Sequence, residues 1–252
     1  MALFEVTPYD RRIYEEELKD FLPQKILDVH THVWLDKYLD HKPLAPGEVK
    51  RTVTWPSLVA LDNSIEDLQE TYRLMLPGKD VTALMFTSRG AWDKNNAYVA
   101  ECSRRTGFPA LYYSRPEQTP EELEAEIRKG GFLGLKSYLS LSPKYLPEAE
   151  IRIFDFFPKA QLKKMDELGA IVMLHIPRNG RLKDPVNLAQ IMEIKQEFPN
   201  IRLIIAHIGR AYTREDVGNA FETLDKAPGL RSASKHQSLN SVTIWPGMMF
   251  SY

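Results

Sequence analysis

The chain has 252 residues, 43% of them hydrophobic and 27% charged, which is the balance of a globular protein able to bury a sizeable core. Its 33 Lys and Arg against 34 Asp and Glu leave a formal net charge of -1, excluding a nucleic-acid binder that relies on a strong overall positive field. A single cysteine, Cys102, excludes an internal disulfide framework and a Cys-rich metal site. The N-terminus is charged and no apolar run approaches the roughly 18 residues of a membrane span, so a cytoplasmic protein without a membrane partner is expected.

Along the chain, Thr7-Pro8 supplies an N-cap and a first-turn proline, predicting a helix from there to about Leu22. The apolar run Lys25–Val29 reads as a buried strand. Residues 33–63 lack periodicity and carry Pro43, Pro46 and Pro56, the mark of a long functional loop. Ser64-Ile-Glu-Asp then opens a helix expected to reach Leu76, ahead of Pro77-Gly78. Further strands are expected at Val81–Thr87, Ala110–Ser114, Leu133–Tyr138, Ala170–Ile176 and Ile201–Ile208. Helices are expected between and after them at 94–106, 120–129, 158–168, 186–197 and 213–226, with Thr119 and Thr213 as start signals.

Apolar strands alternating with amphipathic helices argue for parallel pairing, and so for an α/β fold of the TIM-like (β/α) barrel type. The chain reads as one domain over 1–252: an N-terminal helix in 1–23, six βα units in 24–226, and an atypical tail at 227–252. A closed barrel needs eight units in roughly 250 residues. The tail is shorter than one strand–helix–strand unit of about 30 residues. An incomplete barrel is therefore expected, its seventh and eighth units missing or remodelled.

The histidines carry the chemistry. Of the six, His30, His32, His175 and His207 fall at or just beyond the C-terminal ends of expected strands, while His41 and His236 do not. Parallel strands deliver such side chains to one rim, where barrel and open-sheet active sites lie. Residues i and i+2 of a strand share a face, so His30 and His32 can reach one point. Neutral imidazoles suit Zn²⁺, and three protein ligands plus a water make a nucleophile near neutral pH. A divalent metal, zinc first, is the expected cofactor. His41 reads as a surface residue, and His236 could replace a ligand.

The segments ILDVHTH, LHIPR and IIAHIGR, in this order and spacing, resemble the amidohydrolase superfamily from about Gln24 to Lys226. The likeness is greatest to its branch of metal-dependent hydrolases and decarboxylases. The resemblance implies that His30 and His32 bind metal, that His175 is a further ligand, and that His207 binds a second metal or orients the reactive water as a catalytic residue. It sets Lys136, in GLKSY, where binuclear members carry a metal-bridging carbamylated lysine; from the residues alone Lys136 is equally a plain rim cation that meets substrate. Family members also end an eighth strand in an aspartate that binds metal and takes a proton from water. No Asp follows Asp225 in this sequence, which puts the activity of the chain in question.

Arg89, Arg178 and Arg210 lie just past strand ends, where guanidinium groups can hold a carboxylate through paired hydrogen bonds. The expected partner is a small carboxylate-bearing or lactone-derived substrate; rim ion pairs without a ligand are the alternative. Trp34, Trp55 and Trp92 could wall an apolar pocket. Unclosed strand edges would favour a homo-oligomer. Three functions are then open: hydrolysis of an amide, ester or lactone by metal-activated water, non-oxidative decarboxylation on the same scaffold, or a binding role for an inactive truncated relative.

Overall fold

A computed structural model describes residues 4–39, 60–87, 92–211 and 213–226. They fall into two compact units, the first holding 4–39, 60–87 and 92–110 and the second 111–211 and 213–226. His41, Trp55, Arg89, His236, most of the proline-bearing loop and the tail at 227–252 lie outside the described residues, and the expected remodelling of units seven and eight lies there too.

In the first unit, α1 (Pro8–Ile13) starts as its sequence dictates. The Asp10 N–H donates to Thr7 Oγ1 at 3.2 Å and the Thr7 N–H to the Asp10 carboxylate at 2.8 Å, a reciprocal cap. The helix widens into a π-helical stretch, Tyr14–Leu18, in which the Lys19 N–H bonds the Tyr14 carbonyl at 2.8 Å, and it ends there, short of Leu22. Leu22 instead turns inward with Tyr14 to pack on Ile26 and Leu76. Lys79 Nζ donates to the carbonyls of Lys19 and Leu22 at 2.5 and 2.8 Å, satisfying acceptors that the closing turn exposes.

Strand β1 (Lys25–His32) pairs in parallel with β2 (Asp80–Phe86), joined through α2 (Ile65–Met75), and α3 (Trp92–Thr106) follows. The Tyr98 hydroxyl of α3 accepts the Ile65 N–H at 3.0 Å and so holds the first turn of α2. The β1–β2 register runs evenly from Lys25↔Asp80 to Asp28↔Ala83, then resumes at Thr31↔Met85. That irregularity is a β-bulge that holds Val29 and His30, just ahead of His32.

In the second unit β3 (Tyr112–Tyr113), β4 (Gly134–Lys136), β5 (Ile171–Leu174) and β6 (Arg202–Ile205) lie side by side in chain order, all parallel. The crossovers are α4 (Pro120–Gly130), α5 (Lys159–Glu167) and α6 (Pro185–Glu197). After β6 come α7 (Arg214–Val217) and α8 (Ala220–Leu224), where one helix over 213–226 was expected; Gly218, at φ 53, divides them. The fold is thus α/β with parallel sheets. Close approach explains one glycine: a Cβ on Gly134 would stand 1.9 Å from the Ile171 carbonyl oxygen on β5.

Residues 139–157 carry order that the sequence pattern does not announce. They form short 3-10 turns at Leu139–Leu141, Glu148–Glu150 and Ile153–Asp155, with Ile151, Ile153, Phe156 and Phe157 completely buried. Gln190 on α6 accepts the Ile153 N–H at 2.9 Å, seating this segment against the helix. Among the described residues no helix is long and apolar enough to cross a membrane.

Candidate functional site

In the first unit His30 and His32 close β1, their ring centroids 5.3 Å apart. Both rings meet the Phe86 ring near edge-on, at 4.9 and 4.6 Å, so the i, i+2 spacing does bring them together against one apolar surface. Behind them sits Asp28, only 2% exposed. Its Oδ1 accepts the His30 N–H at 3.0 Å and its Oδ2 accepts the Tyr72 hydroxyl at 2.7 Å. Burial pushes the Asp28 carboxyl above the usual range, and burial with the Asp28 charge pushes the Tyr72 phenol up.

The backbone beyond His32 is also tied down. Asn63 Nδ2 donates to the His32 carbonyl at 2.6 Å, and Asn63 exchanges backbone hydrogen bonds with Trp34 at 2.9 and 3.0 Å. Trp34 Nε1 donates to the Leu61 carbonyl at 2.9 Å. Trp34, expected to wall a pocket, therefore staples the two ends of its loop.

In the second unit His175 directly follows β5 and His207 lies two residues past β6; their ring centroids are 5.4 Å apart. Tyr138 is 6.2 Å from His175 and Tyr113 is 5.3 Å from Tyr138, a short aromatic run alongside the histidines. Burial moves the Tyr113 phenol up to about 12. Lys136, the last residue of β4, is completely buried, its Nζ 5.2 Å over the Tyr138 ring. It is an enclosed amine at the end of β4, and burial lowers it to about 7. The same burial, with the positive charges of Lys136 and Arg210, lowers His207 to about 4, so its imidazole is neutral at pH 7.

Backbone strain concentrates here. His207, Ile208, Gly209 and Arg210 take φ of 54, 50, 68 and 57°, a left-handed turn that costs about 1–2 kcal/mol at each non-glycine position. Only Gly209 adopts it freely, and a Cβ there would also meet Leu182 at 2.7 Å. Such strain persists where surrounding contacts over-determine it and is characteristic of functional loops. Here it lets the chain leave β6 while keeping His207 beside His175.

The arginines are drawn into the same loops. Arg178, at φ 64°, donates from Nε to both carboxylate oxygens of Asp184 at 3.1 Å, and Asp184 also caps α6 through the Val186 N–H at 2.9 Å. Arg210 Nη1 reaches the Ile176 carbonyl at 3.4 Å. Arg181 pairs with Asp216, joining the segment after β5 to α7. Sequence reasoning missed Asp28, Tyr72 and Asp184 as supporting residues. Asp28 and Asp184 stand close to recognised motifs, whereas Tyr72 is remote from them and gives no local signal.

Within each unit, among the described residues, no three His, Cys, Asp or Glu side chains gather as a ligand set. Each unit presents one pair of imidazoles. The decisive comparison is with protein families: the amidohydrolase model matches residues 27–238, most of the chain and every one of these histidines. The chain belongs to the amidohydrolase family.

Among solved structures, this family member is similar to dihydroorotase from Saccharomyces cerevisiae, crystallised with 5-fluoroorotic acid. The match covers 88% of this chain at 14% identity and a TM-score of 0.47. The chain spans 56% of the length of that enzyme. A comparison with curated proteins returns no match. For an amidohydrolase, the donors of each pair suit a borderline divalent cation, because both are imidazoles.

Proposed function

We propose that this chain is a metal-dependent hydrolase acting on an amide, ester or lactone of a small, carboxylate-bearing molecule. The observation that carries the reading is the pair of adjacent imidazoles in each unit, one closing β1 and one just past β5 and β6, in a chain of the amidohydrolase family. His30, His32 and His175 would hold the ion, with zinc the natural choice for nitrogen ligands. The six parallel strands would then belong to one TIM-like barrel with these residues at its catalytic rim. When bound, the metal would polarise the substrate carbonyl and lower the pKa of a water molecule.

The remaining work falls to the chain's own groups. A neutral His207 orients water by accepting a hydrogen bond at its unprotonated ring nitrogen, and its depressed basicity keeps it from holding the proton. Arg178 and Arg210, with Arg89, supply guanidinium groups for the substrate carboxylate. Asp184 engages Nε of Arg178, which is one of five guanidinium donors, and so fixes the plane of that group. Lys136 contributes a buried amine that is partly uncharged at neutral pH.

The test is turnover by zinc-loaded full-length chain on a panel of lactones, cyclic amides and esters carrying a free carboxylate. Water uptake into the product is the expected result, and Arg178→Met should raise KM about tenfold or more with a smaller change in kcat. Release of CO₂ with no hydrolysis would overturn the reading in favour of decarboxylation. An unchanged KM in Arg178→Met would remove the carboxylate clamp.

A further inference from the structure

We propose that Asp28 and Tyr72 are positioning residues for the His30–His32 pair, locking the β-bulge that keeps the two imidazoles side by side against Phe86. This rests on the reading that His30 and His32 bind metal. Between Asp28↔Ala83 and Thr31↔Met85, β1 advances three residues while β2 advances two, so Val29 and His30 stand opposite Leu84 alone before regular pairing resumes at Thr31↔Met85 and His32↔Phe86. A bulge re-aims side chains but leaves its own backbone without a regular ladder. Here the His30 N–H, inside the bulge, donates to Asp28 Oδ1 at 3.0 Å.

Asp28 is itself held from another element. Its Oδ2 accepts the Tyr72 hydroxyl from α2 at 2.7 Å, and Thr31 Oγ1 lies 3.1 Å from the same hydroxyl. One phenol thus fastens the residues at both ends of the bulge, with His30 between them. Asp28 and Thr31 are 2% and 3% exposed, so water does not compete for these bonds. The arrangement does what outer hydrogen bonds do in metal sites: it fixes the direction of the donors rather than touching the ion. The acceptor role needs an oxygen at this position, not a charge.

The experiment measures Zn²⁺ affinity of the full-length chain by competition with a chromophoric chelator, and the visible spectrum of the Co²⁺-loaded protein. Asp28→Ala should weaken Zn²⁺ binding about 10–100-fold and Tyr72→Phe about tenfold, both with an altered Co²⁺ spectrum at saturating metal. Asp28→Asn keeps a carbonyl oxygen for the His30 N–H and should restore affinity to within about threefold of the wild type. A merely structural role would lower thermal stability without moving the Co²⁺ spectrum or showing this rescue. Should Asp28→Ala fail to fold, Tyr72→Phe, which keeps the ring, carries the test. Wild-type affinity and spectrum in Tyr72→Phe and in folded Asp28→Ala, or an Asp28→Asn as weak as Asp28→Ala, overturns the inference alone. A wild-type chain that binds no zinc, or a His30→Ala variant that binds it undiminished, overturns the metal-site reading first, and the inference falls with it.

Discussion

His207 owes its chemical character to where it is buried. In the unfolded chain its imidazole takes a proton near pH 6.5, and in the folded chain only near 4. Between those values the unfolded state binds more protons, so stability rises with pH; the contribution is complete above about 6.5 and is lost as pH falls toward 4. The whole shift corresponds to about 3 kcal/mol. Urea unfolding of the metal-free protein at pH 7 and pH 4.5 should show this loss, and His207→Gln should flatten the slope between them. An unchanged slope in that variant would contradict the assignment. Gly134 is a second single-residue determinant. With a Cβ placed 1.9 Å from a backbone oxygen, Gly134→Ala should cost about 3 kcal/mol or more, read as a fall in the urea midpoint. At this scale the sequence is legible wherever the cause is local. The i, i+2 spacing of His30 and His32 already points both to one strand face, while the bulge and the Asp28–Tyr72 bond that support them leave no mark in that spacing. The enclosure of Lys136 was not legible, because it is set by neighbours such as Tyr138 and by strands far away in the chain.

Among the elements, the caps carry the boundaries. Ser64, Thr119 and Thr213 each accept the N–H three residues on and receive a carboxylate in return, which is why the helix starts could be read directly. Strand ends were less legible, since an apolar run does not stop where pairing stops. β6 ends at Ile205 although the apolar residues continue to Ile208, because the left-handed turn at His207 takes the chain out of the sheet. The segment 139–157 had no readable period at all, and its order comes from burying Ile151, Ile153, Phe156 and Phe157. Caps also grade the expected effects of substitution. Thr119→Ala should cost about 1 kcal/mol, the value of a lone cap. Asp184→Ala removes the cap of α6 and also the carboxylate that engages Arg178, so about 2 kcal/mol is expected. Thermal denaturation of the two variants side by side checks the order, and an Asp184→Ala no worse than Thr119→Ala would mean that the ion pair adds nothing.

For the whole molecule, the alternation of strand and helix correctly gave parallel pairing, because apolar strands joined by helices have few other arrangements. The order β3-β4-β5-β6 is the order of the chain, as successive βα units require. The proposed function calls on residues that fall in different units: His30 and His32 in the first, His175 and His207 in the second. If a single ion is shared, removing an imidazole from either unit must release the same metal. Zinc content per chain, determined by elemental analysis of the wild type, His30→Ala and His175→Ala after dialysis against a weak chelator, decides this most directly. A metal-loaded wild type that loses the same equivalent of zinc in each variant is the expected result. Full zinc retention in either variant, or a wild-type chain that carries none, would contradict it.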